Sequence, residues 1–308
     1  MDLRHLFQLI KAAVKDFISD QATVLAAAIC YNTLFAITPL LLVIIAVLGS
    51  IYGSDQARDQ LLGRIGDFMG FESRQLAESL LNNAAKNGVT GSLVGIGMTI
   101  IGATGLFNQI KFALNQVWNV RPIKGLFWRS IKTRVLSFLL VLIVAALLIV
   151  MLAVSTTISG LAASINRELS IPAWVFSGID FLLSIAVITI MFALVYKWLP
   201  DAQIDWRESW IGAGITSVLF AVGKIGLGFY LAHAPGIGVY GAAGSLVMVL
   251  IWIYYSSAIF LLGAELTQSH AEMYGKPIIP APWAERTMPV LNKKSPESLK
   301  ARLGPRVA

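Results

Sequence analysis

The sequence has 308 residues, of which 56% are hydrophobic and 13% charged; a soluble domain carries about 25% charged residues, so an ordinary water-soluble domain is excluded and a membrane is indicated. The single cysteine, Cys30, excludes an internal disulfide and a multi-cysteine metal site. A formal net charge of +7 invites a nucleic-acid reading, which the placement of the basic residues then makes unnecessary.

Residues 1–21 are too charged for the apolar core of a secretory signal, and the run that follows is longer than the roughly 7–15 residues of a cleavable one, so the leader is expected to be retained. Leu6, Leu9, Ile10, Ala13, Val14 and Phe17 recur at helical spacing opposite Lys11, Lys15 and Asp16, which predicts an interfacial amphipathic helix. A bilayer-spanning helix needs about 20 largely apolar residues. Six stretches meet that need: 22–50, 92–118, 135–163, 173–199, 209–233 and 241–267.

In the first stretch Pro39 follows Asn32, Thr33 and Thr38; it removes a backbone donor, so a kink or a broken helix is expected there. The loop 51–91 contains "QLLGRIGDFMG" and "RQLAESLLNNAAK", with leucines three and four apart, which predicts short helices capping one face. The second stretch closes with Asn108, Lys111, Asn115 and Gln116, and the third is apolar almost throughout and is expected to face lipid. The fourth carries Asp180. The fifth carries Lys224 in "FAVGKIGLGFY" and several glycines that allow close helix approach, and the sixth ends near Glu265. Residues 273–308 are rich in proline and basic residues without a sustained period, which predicts a disordered tail.

The loops differ in charge. Arg4, Lys11, Lys15, the cluster from Arg121 to Arg134, Lys197, Arg207 and the tail place their basic residues on one side, against Arg58, Arg64, Arg74, Lys86 and Arg167 on the other. Excess Lys and Arg marks the cytoplasmic face, so both termini are expected inside. Attraction to anionic inner-leaflet lipids, about 1 kcal/mol per basic residue near the surface, then accounts for the charge without nucleic acid. Trp118, Trp128, Trp198, Trp206 and Trp210 fall at the inner border and Trp174, Tyr230 and Tyr240 at the outer one, as an aromatic belt would.

Motifs that suggest enzymes fail on context. "GIGVYG" at 236–241 matches a dinucleotide fingerprint but joins two apolar helices instead of a strand and a helix. "VGKIG" lacks both the first glycine and the magnesium-binding hydroxyl of a phosphate loop. His5, His233 and His270 are spread over both sides, and no nucleophile elbow is present. No metal, cofactor or enzymatic chemistry is expected.

The ionisable residues within apolar stretches carry more information, since such groups are costly at depth and face a bundle interior or a wet cavity. Lys224 and Asp180 lie about 10–14 Å from the same end of their helices, and Lys111 and Glu265 lie near the opposite end of theirs, so the sequence allows an outer and an inner ion pair. Snorkelling to the headgroups accounts for the same lysines. On the sharper reading these four residues, with Asn32, Thr33, Thr38, Pro39, Asn108, Asn115 and Gln116, line a hydrophilic path.

Several segments together resemble the YihY/virulence factor BrkB family of bacterial inner-membrane proteins. The resemblance rests on "AAAICYNTLFAITPLLLVIIAVLG", on "FNQIKFALNQVWNVRP", and on the long stretch from "VYKWLPDAQIDW" through "YGAAGS" to "GAELTQ". It implies an all-α, six-span inner-membrane protein with both termini cytoplasmic. Family members have carried ribonuclease BN, serum-resistance and transport labels; the ribonuclease label does not suit a chain without a ligand cluster. The expected function is that of a permease-like protein for an envelope-related substrate, lipid or ion, with membrane lipids as partners. The competing class is a non-transporting protein that organises lipids or partner proteins.

Overall fold

The computed structural model describes residues 3–86, 93–123, 173–233 and 244–287, with five positions between 143 and 154, and for some helical residues the backbone alone. Apart from those five positions, the stretch 135–163 expected to face lipid lies outside the described residues, as do the "GIGVYG" loop and the chain after 287.

In a medium without water every backbone N–H and C=O must find an internal partner, which leaves helices as the solution for apolar runs of this length. The helices are α1 (Leu3–Ser19), α2 (Ala22–Tyr52), α3 (Ser54–Met69), α4 (Phe71–Lys86), α5 (Leu93–Val117), α6 (Ala173–Trp198), α7 (Trp206–His233) and α8 (Gly244–Tyr274). Among them α6, α7 and α8 are long and apolar enough to cross a membrane, and α1 with α2 make a fourth crossing if the 66° bend between them is counted within one span. The protein is thus mainly helical with three or four membrane-capable helices among the described residues.

That bend sits at Gln21, whose φ of 54° is left-handed. Pro39 does not break the chain: α2 runs as one helix through it, since its neighbours' apolar side chains continue to pack.

The loop 51–91 forms α3 and α4 as expected. Both turns around α3 use glycine at positive φ, Gly53 at 89° and Gly70 at 90°, a conformation that costs other residues energy. Leu41 and Ile44 of α2, Leu61 and Leu62 of α3 and Leu81 of α4 bury together, so the pair folds onto the second half of α2. Leu76 of α4 reaches the start of α8 beside Cys30, Val249 and Ile253, where Cys30 is a buried free thiol.

The main core lies at the other end. Leu25 and Ile29 of α2, Leu114 and Val117 of α5, Tyr196 of α6 and Leu261 of α8 are buried in one cluster. Phe192, Tyr196 and Phe260 stack through it at centroid distances of 5.2–6.3 Å. The leader helix α1 joins this end, but not with one apolar face: Leu9 and Ala13 pack on Leu266, Ile215 and Leu219, while Phe7, Ile10, Val14 and Ile18 stay exposed. Helix α1 is therefore docked on α7 and α8 and presents a second apolar stripe outward.

Residues beyond Met273, expected to lack regular structure, begin with folded chain. Helix α8 continues to Tyr274, and the next dozen residues close over the helix ends as a strap. Strand β1 (Val120–Pro122) pairs antiparallel with β4 (Ala284–Arg286), and β2 (Ala202–Gln203) with β3 (Ile279–Pro280). The Thr287 N–H adds a bond to the Asn119 carbonyl at 2.9 Å, with Asn119 in the left-handed region at φ 53°.

Two ion pairs decorate the strap. Arg121 meets Glu285 at 2.9 Å and Lys276 meets Asp205 at 2.8 Å. The hydrogen bond from Lys276, then its charge, holds the Asp205 carboxyl below the usual carboxylate range. Both groups stand in solvent, where salt and side-chain entropy cancel most of the attraction. Lys276→Ala is therefore expected to leave the melting temperature in detergent unchanged; a clear drop would show that the pair, and not the ladders, fixes the strap.

Candidate functional site at the strap end of the bundle

Lys111 and Asn115 stand four residues apart on α5 and so share one face. That face meets the turn between α6 and β2, where Asp201 is almost fully buried. The Asp201 Oδ1 atom accepts from Lys111 Nζ at 2.9 Å and from Trp283 Nε1 at 2.8 Å, and Oδ2 accepts from Asn115 Nδ2 at 2.9 Å. The Asp201 N–H donates to Asn115 Oδ1 at 2.8 Å, and its carbonyl accepts from the Ala281 N–H at 3.0 Å. One residue thus ties α5, the α6–α7 turn and the strap together, with three donors on its carboxylate.

A second polar contact lies between α7 and α8. Glu208, in the first turn of α7, meets His270 Nδ1 at 2.6 Å, and both side chains are largely buried. Gly275 lies against Glu208 so closely that a Cβ there would overlap its carboxylate.

Between these two sites, α7 and α8 interlock reciprocally. The Thr216 hydroxyl donates to the Gly212 carbonyl in α7, and the Thr267 hydroxyl donates to the Gly263 carbonyl in α8, each at 2.7 Å. Each threonine then packs onto the other helix's glycine, where a Cβ would collide with the threonine side chain. Tyr196 OH donates to the Phe260 carbonyl at 2.7 Å and lies 3.1 Å from Thr216 Oγ1. Trp118 Nε1 donates to the Ala264 carbonyl at 3.2 Å.

Among the described residues, those expected to line one path meet one another at Lys111 and Asn115 around Asp201. Asn32 and Thr33 are half-buried on α2 and bond back to the Ala28 and Ile29 carbonyls, with Asn32 facing Gly105 of α5. Thr38 is half-buried, and Asn108 and Gln116 are exposed. Lys111 and Asn115 do meet, but at Asp201. The inner pair between Lys111 and Glu265 is therefore corrected: the lysine is drawn to a carboxylate in the neighbouring turn, at the end of its reach, and Glu265 stays apart. Lys224 is half-buried on α7. The side chains of Asp180 and Pro39 lie outside the described residues, and with Asp180 the outer pair.

Glu265 is 1% exposed, and its Oε1 has no hydrogen-bond partner. The charges that act on it most strongly are Asp20, Asp16 and Glu272, all acidic.

Asp201, Trp283, Glu208 and His270 escaped the sequence reading because they lie where apolar runs give way to loops. "YKWLPDA" does carry a signal: an acidic residue directly after the proline that ends a span is positioned to meet side chains from neighbouring helix ends.

Comparison with known proteins adds a family. A family model described as virulence factor BrkB matches residues 13–287. A UPF0761 membrane protein of Mannheimia succiniciproducens is 28% identical over 260 residues, covering 83% of this chain and 87% of that protein. UPF0761 membrane proteins of Alcanivorax borkumensis and Rhodospirillum centenum are each 28% identical over 83% and 85% of this chain. The chain spans 58% and 57% of their lengths, respectively. No solved structure matches the chain.

Proposed function

The chain belongs to the virulence factor BrkB family, and from that premise we propose that it is a non-enzymatic, permease-like protein that moves or gates an envelope-related substrate, lipid or ion. The observation that carries this reading is the Lys111–Asp201 pair. Taking two charges out of water costs several kcal/mol per ion, and apolar residues of the same size would stabilise the contact as well or better. A buried pair at a helix-to-turn junction suits an element with two arrangements, closed when paired and open when hydrated. In this proposal the strap end faces the cytoplasm, the chain crosses the bacterial inner membrane six times, and the pair closes the inner mouth. Loop charge supports that orientation. The partners are membrane lipids, with anionic inner-leaflet headgroups at the basic loops and tail.

The reciprocal Gly–Thr interlock favours a second reading, a rigid helix pair that organises lipids or partner proteins without transport. Reconstitution separates the two. Vesicles containing the protein are expected to translocate a fluorescent phospholipid, or to carry proton or cation flux, faster than protein-free vesicles, with Lys111→Met changing the rate. Absence of all three activities in folded protein would overturn the permease reading and leave the organising one.

A further inference from the structure

Helix α7 is covered on three sides and bare on the fourth. Toward α6, Ser209 Oγ donates to the Ala193 carbonyl at 2.8 Å and Ser217 Oγ accepts from Thr189 Oγ1 at 2.7 Å. Toward α8 lie Gly212 and Thr216 of the interlock, and toward α1 lie Ile215 and Leu219, packed on the cluster of Leu9, Ala13 and Leu266. Between the α6 side and the α1 side a strip of α7 stays uncovered, with Arg207, Trp210, Val218 and Ile225 exposed along it. Gly214, Val218 and Ile225 follow Arg207 by close to two, three and five whole helical turns and so share its face. No atom lies within 4 Å of where a Gly214 Cβ would stand, which makes an open notch in the strip.

The strip changes character toward the strap. From Gly214 on it is apolar and lies within the run of α7 that is long and apolar enough to cross a membrane. At its other end Arg207 follows Trp206, whose ring meets Trp198 edge-on at 6.0 Å and has Lys197 Nζ 5.5 Å from its centre. A hydrogen bond to the Ile204 carbonyl fixes that lysine in place, so Trp206 sets Lys197 and Arg207 side by side. The acidic neighbours are already answered, Asp205 by Lys276 and Glu208 by His270, and no ion pair among the described residues engages Arg207 or Lys197. Two cations and exposed indoles thus stand at the head of an apolar strip.

We propose that this strip binds one anionic phospholipid of the leaflet on the strap side, with its headgroup at Arg207 and Lys197 and an acyl chain laid in the notch at Gly214. A guanidinium matches a phosphate with paired donors, and indole rings sit at headgroup level. A zwitterionic lipid offers the same chains and the same phosphate but adds an ammonium group, which the two cations repel. Charge therefore selects among lipids here, whereas the apolar floor alone would accept any of them. The site stands whether or not the chain transports anything.

Native mass spectrometry of the whole protein in mild detergent tests this, by titration with phosphatidylglycerol or with phosphatidylethanolamine of identical chains. The parent is expected to retain one phosphatidylglycerol more tightly than phosphatidylethanolamine. Arg207→Gln, at an exposed position that should leave the melting temperature alone, is expected to weaken phosphatidylglycerol about fivefold, the ratio that corresponds to the attraction of one basic residue to an anionic surface. Adding Lys197→Gln should deepen the loss, and Arg121→Gln, which removes an exposed charge on the strap, should cause none. Gly214→Leu fills the notch while keeping both cations, and in protein that melts with the parent it should weaken both lipids. Equal affinity of the parent for the two lipids, a preference that survives Arg207→Gln, or a Gly214→Leu protein that binds as the parent does, overturns the proposal.

Discussion

Replacing Asp201 with alanine is expected to cost on the order of 3–5 kcal/mol, the usual result of removing one partner of a buried ion pair. The loss is large because the carboxylate answers three donors at once. Lys111 would be left as a largely buried cation, and Asn115 and Trp283 would each keep an unsatisfied N–H. Asp201→Asn should cost less, since an amide oxygen still accepts, but it cannot balance the lysine. Combining Asp201→Ala with Lys111→Met should recover much of the loss, because two groups in contact do not contribute additively. Melting in detergent gives the stability order, and trypsin cleavage within 276–287 reports whether the strap has lifted. An Asp201→Ala protein that melts with the parent and keeps its strap protected would show that the two ladders alone close this end.

The second large effect is expected at the α7–α8 interlock. A methyl group at Gly212 would collide with Thr267, and one at Gly263 with Thr216. Each threonine is also fixed by its hydroxyl bond to its own helix, so it cannot rotate aside without losing that bond. Overpacking of this kind costs about 1–3 kcal/mol, and in an apolar solvent no hydrophobic term draws the helices back together. Gly212→Ala and Gly263→Ala should therefore each lower the melting temperature. Adding Thr267→Ala to Gly212→Ala should return part of the loss, because the hydroxyl and methyl in the way are gone. Gly214, with open space around it, is the control at which alanine should be harmless. If Gly212→Ala melts no lower than Gly214→Ala, the helices are less closely engaged than the geometry indicates.

The helices were legible in the sequence because an apolar run of membrane length leaves the backbone few alternatives. The short helices α3 and α4 were legible from leucine spacing. What escaped reading was settled by groups meeting across the fold. Lys111 and Glu265 share a depth, and depth alone suggested a pair; the lysine instead goes to Asp201, 90 residues on, in a turn that a count of intramembrane charges passes over. The strap escaped for a different reason: its ladders are two or three residues long, too short for any period, and its proline-rich composition is that of unstructured chain. In α1 the apolar positions read as one face. They divide into two because residues 9 and 13 turn toward α8 while 10 and 14 turn away, and only the presence of α8 decides where the division falls.

The strap also sets an order of assembly. Its residues emerge from the ribosome after every described helix, so α5 and the α6–α7 turn are made before Trp283 and the β1–β4 ladder exist to close over them. Lys111 and Asp201 can find each other earlier, but the edge of β1 stays open and one acceptor position on the carboxylate stays unused until residue 287 has been made. Closure of the strap is thus the last folding event at this end of the molecule. A nascent chain stalled short of it exposes an unpaired strand edge, a template on which another chain can pair.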